Sequence, residues 1–533
     1  MKIRYRLLAI VLWLNSCLMG VAQVGDLPRS TPEQEGVNPA LISRLYHALD
    51  SNPEIDVHHL MILCHGKVIS EVHASPYQAV HKHLLYSASK TVLGLAVGLA
   101  VDDGLLSVDD KVSRYLRDKM PATLSPALDS LTVRHMLMMS SGRKEDTGIF
   151  KNDTDWLATW FKGDFHAVGQ EFSYDSMASY ALSMIVCRVT GKSLLEYLRE
   201  RIFEPLHIID VDWELSPDGV ELGGWGLRIQ TESQAKLGQL MLQDGVWNGQ
   251  QLVSKRWIHD MTQRYKETSK NHVEYNSLWD RIVSGLRRAW HYLRALFTGY
   301  DSSNYFRGYG FQTKSVLKPW GNAFFAAGYG GQLIYVMPKC DMVIVINGRA
   351  IDYGTELDAF YDDLVAPLLG GDVPPAPSVM PSFAIMPPQG RSSHELENRL
   401  FASRLLLEEN RLEIKTIELR RSGDDRLFTM TDNRGALRAL AACGQWRLTT
   451  SDDRPLYLAE AVQQLVNVKG PFTSAAAYAW QGDTLTFRLD WLGGGDNRRL
   501  KMAFDGDRVT IYGCDNFDRD LTDTIHGIIE PQQ

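Results

Sequence analysis

Cysteine is scarce in this chain, with 6 residues among 533. Cys17, Cys64, Cys187, Cys340, Cys443 and Cys514 lie far apart and follow no ligand spacing, which excludes a dense disulfide framework and a zinc cluster of the usual kind. Leaving Cys17 aside, the others stand mostly in apolar segments, where buried thiols are expected and one long-range disulfide is the alternative. A basic excess is also missing. Lys and Arg total 56 against 64 Asp and Glu, a formal charge of −8, so no nucleic-acid partner is expected. Past the N-terminus no apolar run is long enough to cross a bilayer, and no internal repeat is visible. Two hydrolase signatures are absent as well. Without a Gly-x-Ser-x-Gly elbow an α/β-hydrolase reading has no nucleophile. His394-Glu395 lacks the second histidine of a zinc-binding His-Glu-x-x-His motif.

What is present begins at the N-terminus. Lys2, Arg4 and Arg6 precede the apolar run Leu7–Leu14, and Gly20 and Ala22 stand at −3 and −1 to a cut before Gln23. Residues 1–22 therefore read as a signal peptide, which predicts export to a periplasm. Leu14-Asn15-Ser16-Cys17 resembles a lipobox, although Asn15 fits it poorly; lipidation at Cys17 would anchor the chain to a membrane instead.

A length of 533 residues predicts more than one domain. Pro374, Pro375, Pro377, Pro381, Pro387 and Pro388 crowd one segment, so 371–391 reads as an extended linker between domains at 25–370 and 392–533. In the first domain, Ala178–Glu200 and Ser233–Asp244 read as helices. Val57–Cys64 and Leu333–Asn347 read as strands, the latter turning near Pro338. In the second domain the period changes to two: Leu485, Phe487, Leu489 and Trp491 alternate with polar residues, and Asp505-Gly506 marks a turn. That pattern predicts an antiparallel meander closed as a small β-barrel or packed as a sandwich. Residues 277–297 look like an inserted amphipathic helix, with Leu278, Ile282, Leu286, Trp290, Leu293 and Phe297 on one stripe. It could pack on its own domain, act as a lid, or contact an anionic membrane surface.

The chemistry centres on Ser87-Ala88-Ser89-Lys90. The Ser-x-x-Lys spacing is within chance, and Ser141-Gly142-Arg143-Lys144 repeats it. Context separates the two copies. Ser87 opens the apolar stretch Thr91–Val101, which reads as a buried helix with Ser87 and Lys90 meeting at i and i+3. Ser141 reads as part of a surface loop. A serine hydroxyl needs a base beside it, and a lysine can serve only if its pKa falls well below about 10.4. The bland alternative makes Ser87 a helix cap and Lys90 a solvated first-turn residue.

The surrounding motifs favour the catalytic reading. Leu84–Thr91 with Gly104–Asp110, Thr132–Leu137 with Ser140-Ser141-Gly142, Phe172-Ser173-Tyr174-Asp175-Ser176, and Gly328-Tyr329-Gly330-Gly331-Gln332 stand in order along the chain. Together they resemble the penicillin-recognising serine hydrolases: serine β-lactamases, DD-peptidases, and the related esterases and 6-aminohexanoate-dimer hydrolases. The resemblance spans about residues 35–368. It implies an α+β β-lactamase/DD-peptidase-like fold, an antiparallel sheet flanked by helices plus an all-helical region, ahead of the all-β C-terminal domain.

It also implies roles. Ser87 would form an acyl-enzyme, Lys90 would take its proton, and Tyr174 would pass a proton to the leaving group. Backbone N–H groups of Ser87 and Gln332 would make the oxyanion hole, and Gly330 and Gly331 would let substrate approach the third motif, expected on a strand. No metal or organic cofactor is required. Two positions depart from the family pattern and bear on substrate binding. Ser176 replaces an Asn, losing an amide. Tyr329 stands where β-lactamases and DD-peptidases carry a lysine that helps hold a substrate carboxylate. Small esters and uncharged amides are therefore preferred over β-lactams or cell-wall peptides; a catalytically idle, ligand-binding member is a third reading. His81, His83 and His135 are expected to be structural.

Overall fold

The computed structural model describes residues 26–143, 155–268, 308–318, 321–350, 354–365, 375, 380–432, 435–452, 470–494, 497–515 and 523–531. The expected signal peptide with Cys17 and the expected 277–297 helix lie outside these residues, as does most of 366–379.

Two nearly uninterrupted apolar segments form the centre of the first sheet. Strand β1 (Ile55–Cys64) and the late strand Met342–Ala350 are buried along almost their whole lengths and pair antiparallel. The other strands are β2 (Lys67–His73), β3 (His83–Leu84), β4 (Val211–Trp213), β5 (Leu227–Ile229), β6 (Val246–Trp247), β7 (Gln250–Gln251), β8 (Gly308–Tyr309), β9 (Lys314–Lys318), β10 (Gly321–Gly328) and β11 (Gln332–Met337), with Met342–Ala350 as β12. The seven-stranded sheet runs β2-β1-β12-β11-β10-β9-β8, and β3-β5-β4 form a small sheet beside it. Such doubly buried strands need cover on both faces. One face packs on the Pro39–Ser51 and Gly354–Val365 helices. The other packs on a larger core built around the Ser89–Asp102, Ser176–Thr190 and Thr231–Leu242 helices. This is the expected α+β arrangement, and the β11–β12 hairpin turns at Pro338–Cys340 as anticipated.

Two expectations fail. The helix expected over Ala178–Glu200 stops at Thr190, because Gly191 adopts a left-handed conformation (φ 67°) that ends it; a new helix starts at Leu194 under a Ser193–Glu196 capping box. Ser141 is buried rather than in a surface loop. The Ser140 N–H donates to the His135 carbonyl at 2.8 Å, drawing the segment onto the helical region.

The period-two segments after residue 402 form one ten-stranded sheet: β13 (Ser403–Leu407), β14 (Thr416–Ser422), β15 (Asp425–Asp432), β16 (Gly435–Cys443), β17 (Arg447–Ser451), β18 (Phe472–Gln481), β19 (Thr484–Trp491), β20 (Asn497–Asp505), β21 (Arg508–Asp515) and β22 (Asp523–Pro531). Parallel pairing of β16 with β18 at Ala442↔Ala477 closes it into a barrel, leaving β17 as an outer strand. Leu485, Phe487, Leu489 and Trp491 point inward, as their alternation predicts. Inside the barrel Arg426 pairs with Glu397 of the short Glu397–Phe401 helix at 2.9 Å, both side chains buried, and Trp480 Nε1 donates to the same carboxylate at 3.0 Å. Breaking one side of such a pair strands a buried charge. Arg426→Met should therefore lower stability to denaturant by about 3 kcal/mol or more. The double variant with Glu397→Met should recover most of that loss.

A histidine cluster lies where the barrel meets the first domain. His83 Nδ1–H donates to the Leu84 carbonyl (3.2 Å), leaving Nε2 to accept from His58 Nδ1–H at 3.1 Å. Tyr77 stacks on His58 at 4.0 Å and donates to the Gly494 carbonyl across the boundary. Burial holds His58 and His59 well below the usual imidazole range and His83 down to about 4. These rings fold neutral, whereas unfolded histidines take up protons below about pH 6.5. Their contribution is thus complete above that pH and drains away as the pH falls towards the folded values. Calorimetry should show Tm falling steadily from about pH 6.5 downward, with a shallower slope in His83→Asn.

Candidate active site

Ser87 is placed by the turn before the Ser89–Asp102 helix. Tyr86 has φ 44°, an unfavourable region for a side chain of its size. Flanking contacts hold it there. The Leu85 N–H donates to the Leu227 carbonyl of β5 at 2.8 Å, and the Ala88 N–H to the Leu85 carbonyl at 3.0 Å. Ser89 Oγ donates to the Tyr86 carbonyl at 2.6 Å and accepts from the Leu227 N–H at 3.2 Å. On the opposite side, β10 touches the turn directly: a Cβ at Gly328 would fall 2.0 Å from the Leu85 carbonyl oxygen. Ser87 emerges from this clamp partly exposed.

Lys90, one turn on, is only 2% exposed. Its Nζ donates to Ser87 Oγ at 3.2 Å, to Ser176 Oγ at 3.1 Å and to the Gly224 carbonyl at 2.7 Å. The Tyr174 ring centroid is 4.7 Å from the same nitrogen. Tyr174 sits just before the Ser176–Thr190 helix, and its neighbours are fixed. Buried Asp175 caps that helix, accepting from the Met177 N–H and from Trp160 Nε1, each at 2.9 Å. The Ser173 N–H donates to the Met139 carbonyl at 2.7 Å, and its hydroxyl to the Arg143 carbonyl at 2.6 Å.

The third motif is a hairpin turn between β10 and β11, not the strand expected. Gly330 and Gly331, at φ 73° and 89°, reverse the chain between Gly328 and Gln332. The Gln332 side chain is spent on holding that turn. Nε2 donates to the carbonyls of Gly330 (3.1 Å) and Gly348 (2.9 Å), and Oε1 accepts from Asn347 Nδ2 at 3.2 Å. Tyr329, 60% exposed, stands edge-on to Tyr86 with ring centroids 6.1 Å apart. The site thus unites Ser87, Lys90, Tyr174 and Ser176, with Tyr329 at its rim and the Gly330–Gln332 turn beside β10.

The flanking histidines have local structural work. His81 Nδ1 accepts from the Gln78 N–H, and His135 Nδ1 from the Thr132 N–H. Sequence reading missed Gly224 and Lys314; the Lys314 Nζ lies 5.9 Å from the Tyr174 ring centroid. The run Leu222-Gly223-Gly224-Trp225-Gly226 was the available signal for the first. Among the described residues, no group of three or more His, Cys, Asp or Glu side chains is placed to hold a metal ion.

Comparison with known proteins places the chain in a family. The 6-aminohexanoate-dimer hydrolase of Paenarthrobacter ureafaciens is 26% identical over 269 residues, which are 46% of this chain and 67% of that one. An uncharacterised protein of Alkalihalophilus pseudofirmus is 26% identical over 214 residues, 36% of this chain and 58% of its own length. The octameric penicillin-binding protein homologue of Pyrococcus abyssi superposes with a TM-score of 0.44 at 16% identity, covering 90% of this chain and 97% of that one. The family model described as Beta-lactamase matches residues 59–350, more than half of the sequence. The chain belongs to the β-lactamase family of hydrolases.

Proposed function

We propose that this protein is an exported serine hydrolase that cleaves carboxylic esters or uncharged amides through an acyl-enzyme on Ser87. The observation that carries the reading is the contact of Lys90 with Ser87: a buried lysine nitrogen 3.2 Å from a partly exposed hydroxyl, beneath a tyrosine ring. Ser87 Oγ attacks the carbonyl carbon as its proton passes to Lys90. The oxyanion forms against the backbone N–H groups of Ser87 and Gln332, donors fixed before the charge develops. Tyr174 delivers a proton to the departing alkoxide or amine. Water then attacks the acyl-enzyme, gives up its proton by the same route reversed, and releases the acid and free Ser87.

Tyr329 supports the choice of substrate. An exposed phenol edge-on to Tyr86 offers an aromatic wall for an apolar group and no ammonium for a carboxylate. Export rests on the signal-like residues 1–22.

Intact-mass analysis with a p-nitrophenyl ester should trap an acyl adduct that Ser87→Ala cannot form. Ser87→Ala and Lys90→Met should each lower kcat/KM by about 10³-fold or more. An unchanged ester rate in Ser87→Ala overturns the nucleophile assignment, and rapid nitrocefin turnover favours a β-lactamase instead. Gly328→Ala tests the clamp. The added methyl has to displace the Leu85 carbonyl, so kcat/KM should fall about 10²-fold, as expected when a reacting group is misplaced by about 1 Å, and Tm should drop as well because backbone has to move.

A further inference from the structure

We propose that Lys314 is a positioning residue that keeps negative charge on the Tyr174 oxygen, supplying from β9 a cation that the Tyr329 position lacks. The inference rests on the Ser87–Lys90–Tyr174 reading and specifies how its proton relay is poised.

The Tyr174 ring has two lysines against it, Lys90 Nζ at 4.7 Å and Lys314 Nζ at 5.9 Å from its centroid. A second phenol, Tyr309, meets it edge-on at 6.5 Å. Tyr309 is buried on β8, directly across the ladder from Lys314. Burial holds its hydroxyl well above the usual phenol range, and charge on Tyr174 pushes it further the same way. Of the two phenols, Tyr174 is the one with both lysine nitrogens against its ring.

Lys314 is held in register with the catalytic helices by Gln312, two residues earlier. Gln312 is buried and has φ 58°. Its N–H donates to the Leu137 carbonyl at 2.9 Å, and its carbonyl accepts from Thr91 Oγ1, next to Lys90, at 2.9 Å. Its side chain accepts from Ser179 Oγ at 2.7 Å, on the helix that follows Tyr174, and donates to the Met136 carbonyl at 3.0 Å. One buried residue, through its backbone and its side-chain amide, therefore ties β9 to the segments that carry Lys90 and Tyr174.

Other described charged groups around this corner have other tasks. Lys266, paired with Tyr309, donates to the Gly169 and Gln170 carbonyls of the loop leading to Tyr174. The Arg143 guanidinium lies over Phe165. Burial first, then the Lys266 ammonium, push the His135 imidazole down, so it stays neutral. Glu171 is exposed on the same loop.

With Tyr174 ionised, the relay balances. As Ser87 Oγ bonds to the carbonyl carbon, its proton passes to Lys90 while a Lys90 proton passes to the Tyr174 oxygen. The Tyr174 phenol then protonates the leaving group and becomes phenolate again. Lys90 starts and ends as an ammonium, and Lys314 moves no proton.

The test compares pH profiles of kcat/KM for a p-nitrophenyl ester in wild type, Lys314→Met and Lys314→Arg, alongside ultraviolet titration of tyrosinate. Removing the cation should move the acidic limb up by about half to one pH unit, allowing for partial solvent screening. Near pH 7 the rate should then fall about 3- to 10-fold, recover at alkaline pH, and leave KM unchanged. Lys314→Arg should restore the limb. The earliest tyrosinate signal should shift upward in Lys314→Met and vanish in Tyr174→Phe. A Lys314→Met rate lowered equally at every pH, with the limb unmoved, overturns the inference while leaving the Ser87 reading intact. Full activity in Tyr174→Phe would instead overturn the relay beneath it.

Discussion

A lysine nitrogen cannot be buried without partners, and in this protein the partners of Lys90 define the site. Three oxygens that it reaches come from the Tyr86–Ala88 turn, from the Ser176–Thr190 helix and from the Gly223–Gly226 stretch. Removing an ammonium from water costs several kcal/mol unless its donors are satisfied. Those three segments are therefore held together by the same requirement that brings the nitrogen to Ser87. The apolar Ser89–Asp102 helix sinks Lys90 into the core, and the polar triangle at its first turn makes that burial tolerable.

The strain at Tyr86 belongs to the same arrangement. A left-handed tyrosine costs of order 1–3 kcal/mol and persists only where its surroundings over-determine it. Here Leu85 and Ser89 bond to β5 on one side, and Gly328 of β10 lies against the Leu85 carbonyl on the other. The bend exposes Ser87 while Lys90 stays buried, so one local distortion sets both the access of the hydroxyl and the dryness of the nitrogen beside it.

How far the sequence could foresee this depended on whether a feature was local. Ser87, in the one-turn Tyr86–Ala88 segment that leads into the Ser89–Asp102 helix, is three residues before Lys90, a spacing that brings the two side chains to one face. Gly330-Gly331 signalled an unusual backbone, but one sequence does not say whether paired glycines line a strand or reverse it; the ladder from Gly328 to Gln332 decides. Gly191 stands inside the expected Ala178–Glu200 helix, and its left-handed backbone, a local signal of helix termination, ends it. Gly224, Gln312 and Lys314 had no comparable signature. Their partners lie more than a hundred residues away, and a single long-range hydrogen bond leaves no periodic trace. The barrel follows the same division. Alternation in β19 predicts which side chains face inward, whereas closure depends on the parallel contact of β16 with β18.

That barrel also bears on the placement of Ser87. The Gly493 carbonyl accepts from the Leu84 N–H at 2.8 Å, three residues before Ser87, while Leu84 pairs with Arg228 of β5 on its other edge. Arg228 in turn lies over Phe472 of β18 at 5.5 Å. A two-residue strand such as β3 has too few ladder bonds to hold itself straight. Flanked by β5 and by the barrel's β19–β20 loop, it delivers the chain to the strained turn from a fixed direction. The His58–His83 contact packs beneath it, with Tyr77 bridging to Gly494. The C-terminal domain is thus part of the wall that positions Ser87, and its seam with the first domain is lined by imidazole rings whose burial holds them below their usual range.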